Sequence, residues 1–183
     1  MLAAHLWMED PVTAGSCHSG GVIPVDLHAP AECRTDLTTH LTACGLTPVG
    51  ARVSPDVPAV GIWLGPPSPC GTDAWVRASQ PHLVVSLTAT HVRIGPFVDP
   101  GLTACLYCLQ ASSAATVPGA ARVPPPGLLA VAAGWIAHDV RRWHEGREPA
   151  SWSATALLDT SLELTRQRWL RHPHCGCGWG LTA

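Results

Sequence analysis

Val92-Arg93-Ile94-Gly95-Pro96-Phe97-Val98-Asp99-Pro100-Gly101-Leu102-Thr103-Ala104-Cys105-Leu106-Tyr107-Cys108 carries the chain along a strand, around a turn and into two cysteines. Val92–Val98 has the β-branched and aromatic content of a strand, and Asp99-Pro100-Gly101 is a turn by composition. Cys105 and Cys108 then stand three residues apart, the bite that supplies two corners of a tetrahedron around Zn²⁺. A second pair follows in His174-Cys175-Gly176-Cys177, where Gly176 tolerates the backbone angles so close a pair requires. Closing the two pairs on one ion ties the C-terminus to the middle of the chain. The residues read as a structural zinc site of four sulfurs, Cys105, Cys108, Cys175 and Cys177, with no position left for water.

Other readings of the same cysteines stand beside it. Four free thiols or two disulfides use the same residues, and a CxxC pair can be a redox disulfide. The usual redox setting, a helix start after a strand in a βαβ pattern, is not expected around Cys105. His172 and His174 flank the second pair, and either can replace one sulfur.

Outward from this stretch, His82-Leu83-Val84-Val85-Ser86-Leu87 is the strongest strand signal. Val22–Leu27 reads as a short strand, with Pro24 favouring an edge or a strand start. Leu37, Leu41 and Cys44 recur at helical spacing, and Gly45 sits where a C-terminal cap belongs. Leu46–Val53 and Val57–Leu64 read as strands, Gly65–Pro69 as a loop, and Thr72–Ser79 as a helix capped by Thr72 or Asp73. Pro124-Pro125-Pro126 precedes a helix over Gly127–Glu145 with an apolar face of Leu128, Val131, Ala132, Trp135, Ile136, Val140 and Trp143. Ala156–Leu158 and Leu162–Leu170 form a hairpin about Asp159-Thr160-Ser161. Strands alternating with helices and then a hairpin predict an α/β fold with a mixed sheet. The whole of 1–183 reads as a single domain: an irregular segment 1–21, a sheet-forming part 22–104 and a zinc-tied part 105–178. Trp135 and Trp143 are expected in the core, and Trp169 and Trp179 flank the second cysteine pair.

Composition excludes several functions. All eleven basic residues are arginines, so no P-loop or Schiff-base lysine exists. With a net charge of −2 and no basic stripe with interleaved aromatics, nucleic acid is not an expected partner. No apolar run reaches the roughly 18–20 residues a membrane span needs, and the first residues lack the basic start of a signal peptide. A cytoplasmic protein with reduced thiols is expected, and its 13% charged content points to a partner or a homodimer.

No catalytic constellation stands out. Gly15-Ser16-Cys17-His18-Ser19-Gly20-Gly21 is glycine-rich but precedes a strand, whereas a phosphate cradle follows one. The ten histidines are scattered. Asp26 with Asp36, and Asp139 with Glu145, read as solvated surface charges, and Cys44 as helical core. Cys17, Cys33 and Cys70 have no evident histidine to activate them.

The stretch from Pro81-His82-Leu83-Val84-Val85 through Gly95-Pro96-Phe97-Val98-Asp99-Pro100-Gly101 to Cys105-Leu106-Tyr107-Cys108-Leu109 resembles a recognisable family segment. So does the tail Arg171-His172-Pro173-His174-Cys175-Gly176-Cys177. Both are similar to the ThiF-like (ubiquitin-activating-enzyme-like) partner proteins of azoline-forming cyclodehydratases, also called precursor leader-peptide-binding proteins. The likeness covers roughly residues 60–178. It implies a degenerate, truncated ThiF-like (Rossmann-like) sheet with a Cys₄ zinc held by Cys105, Cys108, Cys175 and Cys177. It also implies a YcaO-type cyclodehydratase as partner, which spends ATP to cyclise Cys, Ser or Thr side chains of a ribosomally made precursor peptide. In that family the leader is bound by an N-terminal winged-helix element, whereas residues 1–60 here read as a decayed βα portion of the sheet. Leader binding then falls to a separate protein or to strand addition at a sheet edge.

The expectation is therefore a non-catalytic, zinc-stabilised scaffold that docks the precursor peptide, the cyclodehydratase or both, with no bound nucleotide. Two rivals remain: a diverged ThiF-like adenylyltransferase or sulfur-transfer enzyme, with Cys17 as its least unsuitable thiol, and a stand-alone zinc-supported peptide-binding module.

Overall fold

A computed structural model describes residues 22–49, 59–112 and 125–177. The irregular segment 1–21 with Cys17 and the glycine-rich stretch, the strand residues 50–53, and Trp179 lie outside the described residues.

The elements run β1 (Ile23–His28), α1 (Ala31–Ala43), β2 (Leu46–Val49), β3 (Val60–Leu64), α2 (Pro69–Arg77), β4 (His82–Leu87) and β5 (His91–Val98). They continue with α3 (Leu106–Ala111), α4 (Pro126–His144), β6 (Ala154–Asp159) and β7 (Leu164–Arg168). Among the described residues a seven-stranded sheet has the order β2-β1-β3-β4-β5-β6-β7. The pairings among β2, β1, β3 and β4 are parallel, and those among β4, β5, β6 and β7 antiparallel. The mixed α/β sheet with a terminal hairpin is thus as the sequence predicts.

Period-two alternation sorts the strands onto two faces. Val25, Leu27, Val60, Ile62, Leu83, Val85 and Ile94 bury one face against Leu37 and Leu41 of α1 and Ile136 and Val140 of α4. Val84 and Val98 point the other way, onto Leu106 and Leu109 of α3 and onto Trp169. Lying between both layers, β4 is buried along its whole length, which explains its continuous apolar run. Pro24 pairs with Thr47 of β2, and pairing with β3 begins one residue later at Val25, so it stands at a strand start inside the sheet and not at an edge.

Local chemistry sets the ends. Cys33, Leu37 and Leu41 form the buried stripe of α1, which stops at Cys44 and Gly45, Cys44 being half-buried against the core. Helix α2 begins at Pro69, three residues before the expected start. Ser68 is its cap, accepting from the Gly71 N–H at 3.1 Å, and proline suits the first helical turn, where its missing N–H costs nothing. In α4 the buried face is Leu128, Leu129, Ala132, Ala133, Ile136, Ala137 and Val140; Val131 is exposed, and Trp135 and Trp143 are half-buried at its margin. At Gly95 (φ +100°) an added Cβ would stand 2.1 Å from the Ala154 carbonyl oxygen, so the approach of β5 to the start of β6 requires glycine.

Two of the four acids expected on the surface are not there. Asp139 is fully buried and accepts hydrogen bonds from the Ala150 N–H (2.7 Å), the Ser151 N–H (3.1 Å) and the Ser151 hydroxyl. It fixes the loop before β6 to α4, and the Ser151 carbonyl in turn accepts from the Phe97 N–H at 2.9 Å. Asp26 is half-buried and accepts from Trp75 Nε1 at 3.1 Å. Neither burial is visible in the sequence, because the donors lie far away in the chain or in a loop with no periodicity.

Candidate metal centre

Cys105 is the N-terminal cap of α3, and Cys108 lies one turn on, so both thiols face the same side. Leu106 and Leu109 anchor that short helix to the second face of the sheet. The tail returns after β7, where the Cys175 N–H donates to the His172 carbonyl at 3.0 Å and closes a tight turn. All four Sγ atoms fall within 4.8 Å of one another. Cys105 and Cys108 are 3.8 Å apart, Cys105 and Cys175 3.6 Å, and Cys108 and Cys177 3.6 Å. Sulfurs placed ~2.3 Å from a central ion in a tetrahedron are about 3.8 Å apart, so the set fits a four-thiolate metal site. A disulfide needs a separation near 2.05 Å, and these separations are too long for one.

The helix start does carry the CxxC pair, directly after β5, contrary to the sequence expectation. The redox setting is still incomplete, because β5 is antiparallel to both its neighbours and the second cysteine pair stands against the first. His172 and His174 lie beside the site with rings 5.9 Å apart, but the four clustered ligand atoms are all sulfur.

Cys105 and Cys108 are buried, while Cys175 and Cys177 are half-buried. Burial pushes the Cys105 thiol up and the Cys177 thiol up to about 11. At Cys108 burial acts in the same direction, but backbone hydrogen bonds from His172 and Cys105 favour the thiolate and carry it below the usual cysteine range. Four thiolates in this enclosure need a cation to balance them. Trp169, 5% exposed, covers the cluster and donates from Nε1 to Thr155 Oγ1 at 3.1 Å. Trp169 thus packs beside the second cysteine pair that it flanks in sequence.

A second concavity lies at the carboxyl ends of β1 and β3, where the strand order reverses and open α/β sheets bind ligands. Asp26, His28, Arg34, Trp63 and Trp75 line a groove of about 480 Å³ there. The turn from β1 into α1 is Ala29-Pro30, with no glycine, and Arg34 donates to the Ala29 carbonyl at 2.9 Å. His28 stacks on Trp63 with centroids 4.1 Å apart and planes 8° from parallel. The Trp63 ring also lies over Gly71, where a Cβ would come within 2.2 Å of it. Sequence reasoning missed this constellation, because His28 and Trp63 meet only through the β1–β3 register.

Among the described residues the other thiols do not belong to the four-sulfur cluster. Cys33 is buried in α1, with its thiol raised by burial, and Cys70 is exposed on α2.

No protein-family model matches the chain, and no curated protein does. Solved structures do. The heterocyclase TruD matches at 20% identity with a TM-score of 0.62 over 86% of this chain and 27% of its own. A heterocyclase in complex with substrate and cofactor matches at 20% identity and a TM-score of 0.65, over 85% of this chain and 25% of its own. Escherichia coli MccB with ATP matches at 17% identity and 0.51, over 73% and 46%. The chain therefore has the ThiF-like fold and spans about a quarter of the length of those heterocyclases. Among the described residues no helix is long and apolar enough to cross a membrane.

Proposed function

We propose that the protein is a zinc-stabilised, ThiF-like partner subunit in azoline-forming maturation of a ribosomally made peptide. It docks the precursor peptide, a YcaO-type cyclodehydratase or both, and supplies no chemistry of its own. The observation that carries this reading is the four-sulfur cluster of Cys105, Cys108, Cys175 and Cys177 on a sheet shared with heterocyclases. The β1–α1 turn Ala29-Pro30, beside the stacked His28 and Trp63, supports it, since a phosphate cradle there would need a glycine turn.

In this reading the metal is structural. Zn²⁺ at Cys105, Cys108, Cys175 and Cys177 would supply the charge that keeps four buried sulfurs ionised. The chain's own residues do the rest: Leu106 and Leu109 fix the knuckle, and Trp169 keeps water from it. A subunit of this kind raises the local concentration of peptide at the enzyme and orients it.

Reconstitution tests the proposal. The protein is mixed with the cognate YcaO-type enzyme, its precursor peptide and ATP, and the loss of one water per ring is followed by mass spectrometry. Ring formation should drop when the protein is omitted; an unchanged yield would sink the idea. The adenylating alternative has one observation in its favour, the likeness to MccB with ATP. It requires ATP to raise the melting temperature of the isolated chain.

A further inference from the structure

We propose that the outer edge of β7 is the docking site for an extended acidic peptide segment, which adds to the sheet as its next strand. This rests on the reading of the protein as a peptide-docking subunit and names the surface and the chemistry of what it takes.

The two edges of the sheet differ. At one end β2 has four residues, and Pro48 interrupts its donors. At the other end β7 has five residues, Leu164-Thr165-Arg166-Gln167-Arg168, with no proline, all of them exposed. Among the described residues nothing pairs with its outer side. The Trp169 N–H donates to the Ser153 carbonyl at 2.8 Å, and the Asp159 N–H to the Glu163 carbonyl at 3.2 Å. Antiparallel pairing alternates, so the odd-numbered residues of β7 bond to β6, and the N–H and C=O groups of Leu164, Arg166 and Arg168 point outward.

Beside this edge lies a groove of about 600 Å³. Arg166, Arg168 and Arg171 line it, with Glu148 as its single acid, in a chain whose net charge is −2. Arg166 is already held in place: its Nη2 donates to the Ala150 carbonyl at 2.6 Å, and its guanidinium lies 5.8 Å from the Trp135 ring centre. Leu102 (61% exposed) and Leu170 (87%) add apolar wall, and Leu164 (48%) stands on the strand itself.

Charged residues on an edge strand often serve only to prevent pairing. Here exposed leucines at 162, 164 and 170 flank the arginines on the same segment, which would defeat such protection. Open backbone groups, basic side chains and exposed leucines together suit an extended strand that carries both acidic and apolar side chains.

The test uses the full zinc-loaded chain and a fluorescein-labelled peptide of alternating leucine and glutamate, followed by anisotropy and by hydrogen exchange. The peptide should bind, protect the amides of Leu164, Arg166 and Arg168, and lose affinity as salt rises. An R168E/R171E variant should bind about tenfold more weakly or worse, and R168K/R171K should retain most of the affinity. A copy N-methylated on alternate amides should fail to bind. The proposal is overturned if the peptide does not bind, if a leucine–lysine peptide binds as well, if R168E/R171E binds normally while folded, or if protection appears only elsewhere. Reconstitution separates the two proposals. Ring formation that needs the protein but tolerates R168E/R171E removes this site alone, whereas peptide binding at β7 without any effect on ring formation removes the assigned pathway alone.

Discussion

Cys105 and Cys175 lie seventy residues apart in the chain, yet their sulfurs come within 3.6 Å of each other. That contact joins the cap of α3 to the tail after β7, and with Cys108 and Cys177 it closes a four-sulfur set.

Removal of the proposed zinc is the first test. Structural zinc contributes on the order of 10 kcal/mol in small sites, so chelation should strip one ion per chain and lower the melting temperature sharply. Cys177→Ser should do nearly as much. A Cys177→Ser protein that keeps both its zinc and its melting temperature would show the ligand assignment to be wrong.

Asp139 should matter to stability although it is remote from the metal. Asp139→Ala leaves three donors unpaired at Ala150 and Ser151, two of them buried, and should cost about 3 kcal/mol in urea unfolding. Asp139→Asn keeps one acceptor and should cost less. Equal stability for wild type and Asp139→Ala would deny the loop its anchor.

His82 makes folding pH-dependent. It is fully buried at the start of β4, with Nδ1 3.0 Å from the Gln80 carbonyl and Nε2 without a partner among the described residues. Burial lowers its pKa from 6.5 to about 4, so the unfolded chain binds the extra proton between those values. The contribution is fully present above pH 6.5 and falls away as pH drops toward 4, a loss of roughly 3 kcal/mol. In His82→Leu, this slope should flatten over the same window, as read from urea midpoints across pH.

Two glycines should differ in their tolerance of alanine. Gly71→Ala meets the end of the Trp63 ring, which can swing away from His28, and should cost about 1–3 kcal/mol with a change in tryptophan fluorescence. Gly95→Ala meets a backbone oxygen at positive φ and should cost more. Thermal melts that rank Gly71→Ala as the worse of the two would contradict the geometry.

Local pattern carried a large part of this molecule. Spacing alone paired Cys105 with Cys108 and Cys175 with Cys177, and short-range periodicity found β4, β5, α4 and the β6–β7 hairpin to within a few residues. Such signals work because a strand repeats every two residues and a helix every 3.6, so a buried face is written into neighbouring positions. The ThiF-like fold was legible too, through motifs along β5 and in the tail.

Tertiary structure decided what depends on a partner distant in the chain. Asp139 is a buried anchor because residues 150 and 151 turn back onto α4, and nothing near it in sequence says so. His28 and Trp63 stack because β1 pairs with β3, and no periodicity reports strand order. The open edge of β7 has the same origin: its arginines and leucines read locally as an ordinary strand. Only its place at the end of the sheet leaves their backbone groups without a neighbour among the described residues. Burial and pairing are properties of the assembled layers, so sequence could name the residues but not what they would face.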